Sequence, residues 1–260
     1  LLFLLFIPVI SYCQSSGRDK SFYTSSNCEE KFYFNLYHTP NTIGTQIYQM
    51  EATPDSCAIV IGQIRIGAPT DFYDGLISKI DKNGNTVWSV AIDGPWSQTP
   101  TDIELLNDGN YIITGALGSD VGYGFFILKI SPNGNQIWRQ DYNIPHPGES
   151  LGKNIIKENS DGSLHIATQF SQNGLSFSDR LLYIKTDPLG VILFSKFYTP
   201  PNPITIMRIN DMIIKDEYAY IAGGNLYQSN LAGWVLKIGA GDGNVVWSKI
   251  QLSDMMLGDD

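Results

Sequence analysis

One phrase recurs four times in this chain: a lysine-bearing apolar run, a glycine-containing turn, and an aromatic. It reads Lys79-Ile-Asp-Lys-Asn-Gly-Asn-Thr-Val-Trp88, then Lys129-Ile-Ser-Pro-Asn-Gly-Asn-Gln-Ile-Trp138. It returns as Lys185-Thr-Asp-Pro-Leu-Gly-Val-Ile-Leu-Phe194 and Lys237-Ile-Gly-Ala-Gly-Asp-Gly-Asn-Val-Val-Trp247. The lysines stand 50, 56 and 52 residues apart, and a near-constant period of that size marks stacked supersecondary units.

Working outward from the phrase, each unit holds four strand-like runs. The second unit has Ile103–Leu106, Tyr111–Ala116, Phe125–Ile130 and Gln136–Tyr142, punctuated by Asn107-Asp-Gly109 and Pro132-Asn-Gly134. Such turns tolerate the positive φ that short hairpins need. The runs are rich in Ile, Val, Leu and aromatics, as in a sheet covered on both faces. Counting from the repeated lysine, positions −3, −1 and +1 include Phe126, Leu128, Ile130 and Trp234, Leu236, Ile238, an apolar face that a neighbouring sheet must cover. No segment has a helical period. These features predict an all-β fold, a β-propeller of four-stranded antiparallel blades, with about four blades present in an incomplete ring.

The expected blades cover about 43–93, 101–143, 152–199 and 207–252. The segment 30–40 resembles the outer strand of the third unit and is read as a closing strand. Closure would remove an exposed sheet edge. The chain starts with Leu and stops just past its fourth unit, so we read it as a fragment of a ring of roughly 6–8 blades.

Residues 1–13 form a short apolar run ending Ser11-Tyr-Cys13, which reads as a clipped secretory signal, with a polar linker over 14–29. A secreted or cell-surface location follows. Cys28 and Cys57 then remain, either as one disulfide or as two thiols. Lys plus Arg number 17 against 26 acidic residues, a formal charge of −9. That balance and the lack of a basic stripe exclude nucleic-acid binding, and no segment reaches transmembrane length.

The recurring phrase resembles the tryptophan-docking repeat of quinoprotein propellers, most closely at Gly243 and Trp247; from Asp81 to Gly84 the spacing is one residue short. It also resembles exported bacterial propeller repeats of uncharacterised role. The resemblance implies that Trp88, Trp138, Phe194 and Trp247 wedge blades together. It does not bring a cofactor, because neither an adjacent Cys-Cys pair nor a calcium-ligand set is present, and none is expected.

Catalytic signatures are sparse. His38, His146 and His165 lack metal spacing, and no metal is expected. His165 sits within a strand and reads as structural. Asp81-Lys-Asn-Gly-Asn85 lacks the Gly and Glu positions of an EF-hand and reads as a hairpin turn. His146 and Glu149 share a Pro-rich loop on the variable face. Asp102, Asn154 and Asp211 recur in or before the first strand of successive units, placed either to bind a ligand at the channel or to bond blades together. Tyr73, Trp96, Tyr123 and Tyr227 are aromatics of the variable loops, able to stack on sugar rings.

These residues define a candidate ligand face on a non-catalytic binding or scaffold propeller, monomeric, contacting a glycan or a protein. The alternatives are a propeller enzyme, redox or carbohydrate-active, with part of its site in further blades, and a spacer in a larger adhesin. Fold alone does not choose among them.

Overall fold

A computed structural model describes residues 42–66, 73–92, 94, 97–119, 122–144, 150–171, 180–199, 206–227 and 230–252. All four sheets lie in one compact unit, His38–Asp260. The first sheet holds β1 (Thr42–Ala52), β2 (Ala58–Ile66), β3 (Tyr73–Ile80) and β4 (Thr86–Ile92). The second holds β5 (Ser97–Leu105), β6 (Tyr111–Ser119), β7 (Gly122–Ile130) and β8 (Gln136–Ile144). The third holds β9 (Ser150–Glu158), β10 (Leu164–Ser171), β11 (Arg180–Thr186) and β12 (Ile192–Tyr198). The fourth holds β13 (Ile206–Lys215), β14 (Tyr218–Tyr227), β15 (Asn230–Gly239) and β16 (Val245–Leu252). Each sheet pairs its strands in chain order, all antiparallel. The fold is an all-β arrangement of propeller blades.

Packing between sheets repeats one pattern. β5 lies against β1, β2 and β3; β9 against β5, β6 and β7; β13 against β9, β10 and β11. The first strand of each sheet thus crosses the three inner strands of the sheet before it. Three apolar clusters fill the three junctions. Ile59, Ile61 and Ile77 meet Ile103, Ile113, Phe126 and Leu128. Phe125, Ile127 and Ile112 meet Ile156, Ile166, Leu182 and Ile184. Tyr183, Leu181 and Ile155 meet Met212, Ile221, Trp234 and Leu236. The predicted apolar face of the third strand therefore looks back at the preceding sheet, and its alternate residues look forward. Burying one such side chain stabilises by about 1.5–3 kcal/mol.

The first strands run longer than the hydrophobic runs suggest. β5 begins at Ser97, ahead of the expected Ile103, and includes Pro100 paired with Gly115. Proline survives there because β5 is the edge strand of its sheet, so the missing N–H breaks no ladder. The turns also differ in detail. Only the glycine takes positive φ in the third-to-fourth-strand turns, at Gly84, Gly134, Gly190 and Gly243. The preceding residue, Asn83, Asn133, Leu189 or Asp242, stays on the negative side. Side chains cap these turns: the Asp81 carboxylate accepts from the Asn83 and Asn85 amides, at 2.8 Å each. The calcium-like look of that loop is turn chemistry.

The expected leader, linker and closing strand, and with them Cys28, lie outside the described residues. Cys57 is a free thiol. No helix of the described residues is long and apolar enough to cross a membrane.

Candidate functional site on the first strands

The repeated lysine lies opposite the repeated aromatic in every sheet: Lys79 and Trp88, Lys129 and Trp138, Lys185 and Phe194, Lys237 and Trp247. A register shift follows each lysine. The aromatic then docks on the turn glycine of the next sheet. A Cβ on Gly134 would stand 2.9 Å from the Trp88 ring, one on Gly190 3.4 Å from Trp138, and one on Gly243 3.0 Å from Phe194. Tyr142 and Tyr198 add hydroxyl bonds to the carbonyls of Gly190 and Gly243. Trp88, Trp138 and Phe194 are thus wedges between sheets. The lysines bond within their own blades: Lys79 to Asp55 at 2.7 Å, Lys129 to Asp108 at 2.6 Å, with Lys185 3.9 Å from Asp161. Lys237 instead lies over the Tyr218 ring at 3.7 Å.

Asp102 and Asn154 meet at the junction of the second and third sheets. β9 is an edge strand, and side chains of β5 bond its outward amides. The Asn154 N–H donates to Thr101 Oγ1 (3.1 Å), Ile156 N–H to Asp102 Oδ2 (2.9 Å), and Glu158 N–H to Glu104 Oε1 (3.1 Å). The Thr101 hydroxyl returns a bond to the Asn154 carbonyl at 2.9 Å. Asp102 and Asn154 are buried and neither opens to solvent; Asp102 bonds the blades through its carboxylate, and Asn154 through its backbone, its side-chain amide being buried without a hydrogen-bond partner among the described residues. Asp211 differs: it is exposed on β13, and its carboxylate accepts from the adjacent Met212 amide at 2.8 Å.

Around this zipper, ionisable groups from four successive first strands feel one another. Glu51 comes from β1, Asp102 and Glu104 from β5, Lys157 from β9 and Asp211 from β13. Lys157 Nζ stands 2.6 Å from Glu104 Oε2. Burial works against the Lys157 ammonium, but Glu104, Asp102 and Asp211 outweigh it and hold its pKa above the ordinary lysine value. Burial pushes the Asp102 carboxyl up to about 6, despite the amide bond from Ile156. Burial also raises Glu51, which Lys157 partly offsets and Glu104 reinforces. Glu51, Glu104 and Lys157 carry no motif in the sequence. Their signal is register: Glu51 and Ile59 share the cross-strand row of Lys79, Glu104 and Ile112 that of Lys129, Lys157 and His165 that of Lys185.

The variable-face aromatics are placed differently from expectation. Tyr73 opens β3, Tyr123 stands in β7 and Tyr227 ends β14, so strands run further toward that face than the loops implied. Tyr73 is half-buried beneath the Arg65 guanidinium, 5.8 Å from its ring centre. It shares a cleft of about 250 Å³ with Gly44, Thr45, Gln46, Gln63 and Arg65. Trp96, His146 and Glu149 lie outside the described residues. His165 is structural: fully buried, its Nδ1 is 2.5 Å from the Tyr183 hydroxyl and its Nε2 3.1 Å from Ser163 Oγ. Burial, with Lys185 adding, pushes its pKa down to about 4. Among the described residues no group of three or more His, Cys, Asp or Glu is set to hold a metal ion.

Solved structures share this architecture. An α-L-arabinanase of Penicillium chrysogenum, solved with arabinobiose, superposes with a TM-score of 0.57 at 12% identity, over 84% of this chain and 68% of its own. The NanB sialidase of Streptococcus pneumoniae gives 0.58 at 10% identity, over 86% of this chain and 54% of its own. A Dyadobacter fermentans protein of unknown function gives 0.55 at 10%, over 80% of this chain and 64% of its own. The likeness is one of fold. This chain spans little more than half the length of the sialidase. No protein-family model and no curated protein matches the sequence.

Proposed function

We propose that this chain is a carbohydrate-active propeller, exported from the cell, whose glycan reaches the carboxylates of the first strands. The convergence of Glu51, Asp102, Glu104, Lys157 and Asp211 from four successive sheets carries the reading. Glycoside cleavage uses two carboxyl groups in contrasting settings, one holding a proton and one ionised. Glu51, raised by burial, suits the proton donor, and the exposed Asp211 suits the partner that activates water or stabilises the sugar cation. The arabinanase and sialidase similarity in fold supports the substrate class. Asp102, locked to the Ile156 amide, serves the scaffold.

A binding role without turnover is the second reading, favoured by Lys157, which bonds the one carboxylate of β5 that Asp102 leaves over. Incubation with a panel of arabinans, sialosides and other polysaccharides separates the two. Turnover that falls by about 10²–10⁴-fold in Glu51→Gln and Asp211→Asn supports the enzyme. Binding with no turnover in the wild type gives the scaffold reading. Failure of both binding and turnover on every glycan would remove carbohydrate from the account.

A further inference from the structure

The junction between the second and third sheets buries a different set of side chains from the other two. Counting from the repeated lysine, the −2 row of one sheet faces the −3 row of the next. At the first junction the row of Ile61 and Ile77 faces that of Gly115 and Phe126. At the third, Ala167 and Tyr183 face the row of Gly223 and Trp234. At the second, the row of Asp102, Thr114 and Ile127 faces that of Asn154, Thr168 and Leu182. Asp102 is 5% exposed and Thr114, Asn154 and Thr168 are 0% exposed, so four polar side chains stand inside an otherwise apolar cluster.

The backbone is arranged to admit them. Thr168 holds the place of Gly115 and Gly223, where a Cβ would collide with the carbonyl oxygens of Thr99 and Arg208. In those two sheets the register shift of the first strand falls at the glycine, between Pro100 and Asp102 and between Ile209 and Asp211. In the third sheet it falls beyond Thr168, which pairs directly with Asn154. The displaced shift gives side chains room on a row that is closed to them in the neighbouring sheets.

Most of this polar set is accounted for. The Asp102 carboxylate accepts from the Ile156 amide, and the Thr114 hydroxyl donates to the Phe126 carbonyl at 2.9 Å. The Thr168 hydroxyl donates to the Gln169 carbonyl at 3.3 Å, which leaves its oxygen able to accept. Asn154 is the exception: both Oδ1 and Nδ2 are buried without a partner among the described residues. Buried amides are satisfied by protein or by ordered water.

We propose that the Asn154 side chain holds an internal water at this junction. The water accepts from Nδ2 and donates to Oδ1 or to the Thr168 hydroxyl oxygen, and so helps to seat the third sheet on the second. This site is separate from the glycan reading and does not depend on it.

A high-resolution crystal structure of the full chain tests this. The expected result is an ordered solvent peak about 2.7–3.2 Å from the Asn154 amide. No peak there, or an amide turned so that protein groups take both of its polar atoms, overturns the proposal. Oxygen-17 relaxation dispersion, which counts long-lived internal waters in solution, should show one fewer in Asn154→Leu than in the wild type. An equal count in a folded variant overturns it too. The crystal criterion is read on the wild type, so it decides even if Asn154→Leu does not fold.

Discussion

Glycine in the third-to-fourth-strand turn answers two separate demands. At Gly134 the backbone has φ of 81°, and the Trp88 ring lies where a Cβ would go. Gly109, in the first hairpin of the same sheet, has φ of 80° and open space around it. Left-handed backbone costs a non-glycine residue roughly 1–2 kcal/mol. Gly109→Ala should therefore lose about that much in urea unfolding. Gly134→Ala should lose more by about 1–3 kcal/mol, because the wedge must also move. Equal losses at both sites would show that the Trp88 contact is energetically idle. Ser56 and Asp216 take the same left-handed region in the first hairpins of the first and fourth sheets. The short polar side chain that makes such a position tolerable is legible in sequence; the contact that makes Gly134 intolerant is not.

The second and third sheets bury two titratable groups whose acid responses oppose each other. His165 has its folded pKa pushed down to about 4, below the ordinary 6.5. The unfolded chain then binds the proton first, and the stability His165 contributes, present above pH 6.5, is lost as pH falls toward 4. Asp102 has its folded pKa raised to about 6 from 3.8. The folded state binds that proton first, so stability returns as pH falls from 6 toward 4. Each effect is on the order of 3 kcal/mol, from 1.36 kcal/mol per pKa unit. Asp102→Asn should thus steepen the loss of stability between pH 6 and 4 relative to wild type. His165→Gln should flatten or reverse it. The difference between variant and wild type, read from denaturant midpoints at several pH values, isolates each group. A variant profile parallel to wild type would mean that the carboxyl or imidazole titrates in the folded state as it does in the unfolded one. The sequence places Asp102, Asn154 and Asp211 in or before the first strand of successive units, but the structure separates them, since β5 faces an edge strand that needs acceptors and Asp211 faces solvent.

Across the whole molecule, stability should follow coverage. β6, β7, β10 and β11 are sandwiched between apolar clusters on both faces, whereas β14 and β15 are covered on one. Local opening free energy tracks buried contact. Native-state hydrogen exchange should therefore protect the amides of Ile113, Ile127, Ile166 and Tyr183 most, and those of Tyr220 and Val235 less. Uniform protection would indicate that the four sheets unfold only as one.

The sequence by itself determined the repeat, the four strands of each unit, the apolar face of the third strand and the turn glycines. These are local properties: side-chain alternation, turn chemistry and period are written in consecutive residues. It was silent on which sheet each face meets and on the start of the edge strands, whose Ser, Gln, Thr and Pro residues carry no hydrophobic signal. Only the tertiary structure decided that Thr101, Asp102 and Glu104 bond the amides of β9, and that Glu51, Lys157 and Asp211 share one field with them. The physical reason is distance along the chain: these partners lie some fifty residues apart, and the packing of one sheet on the next is what brings them within reach.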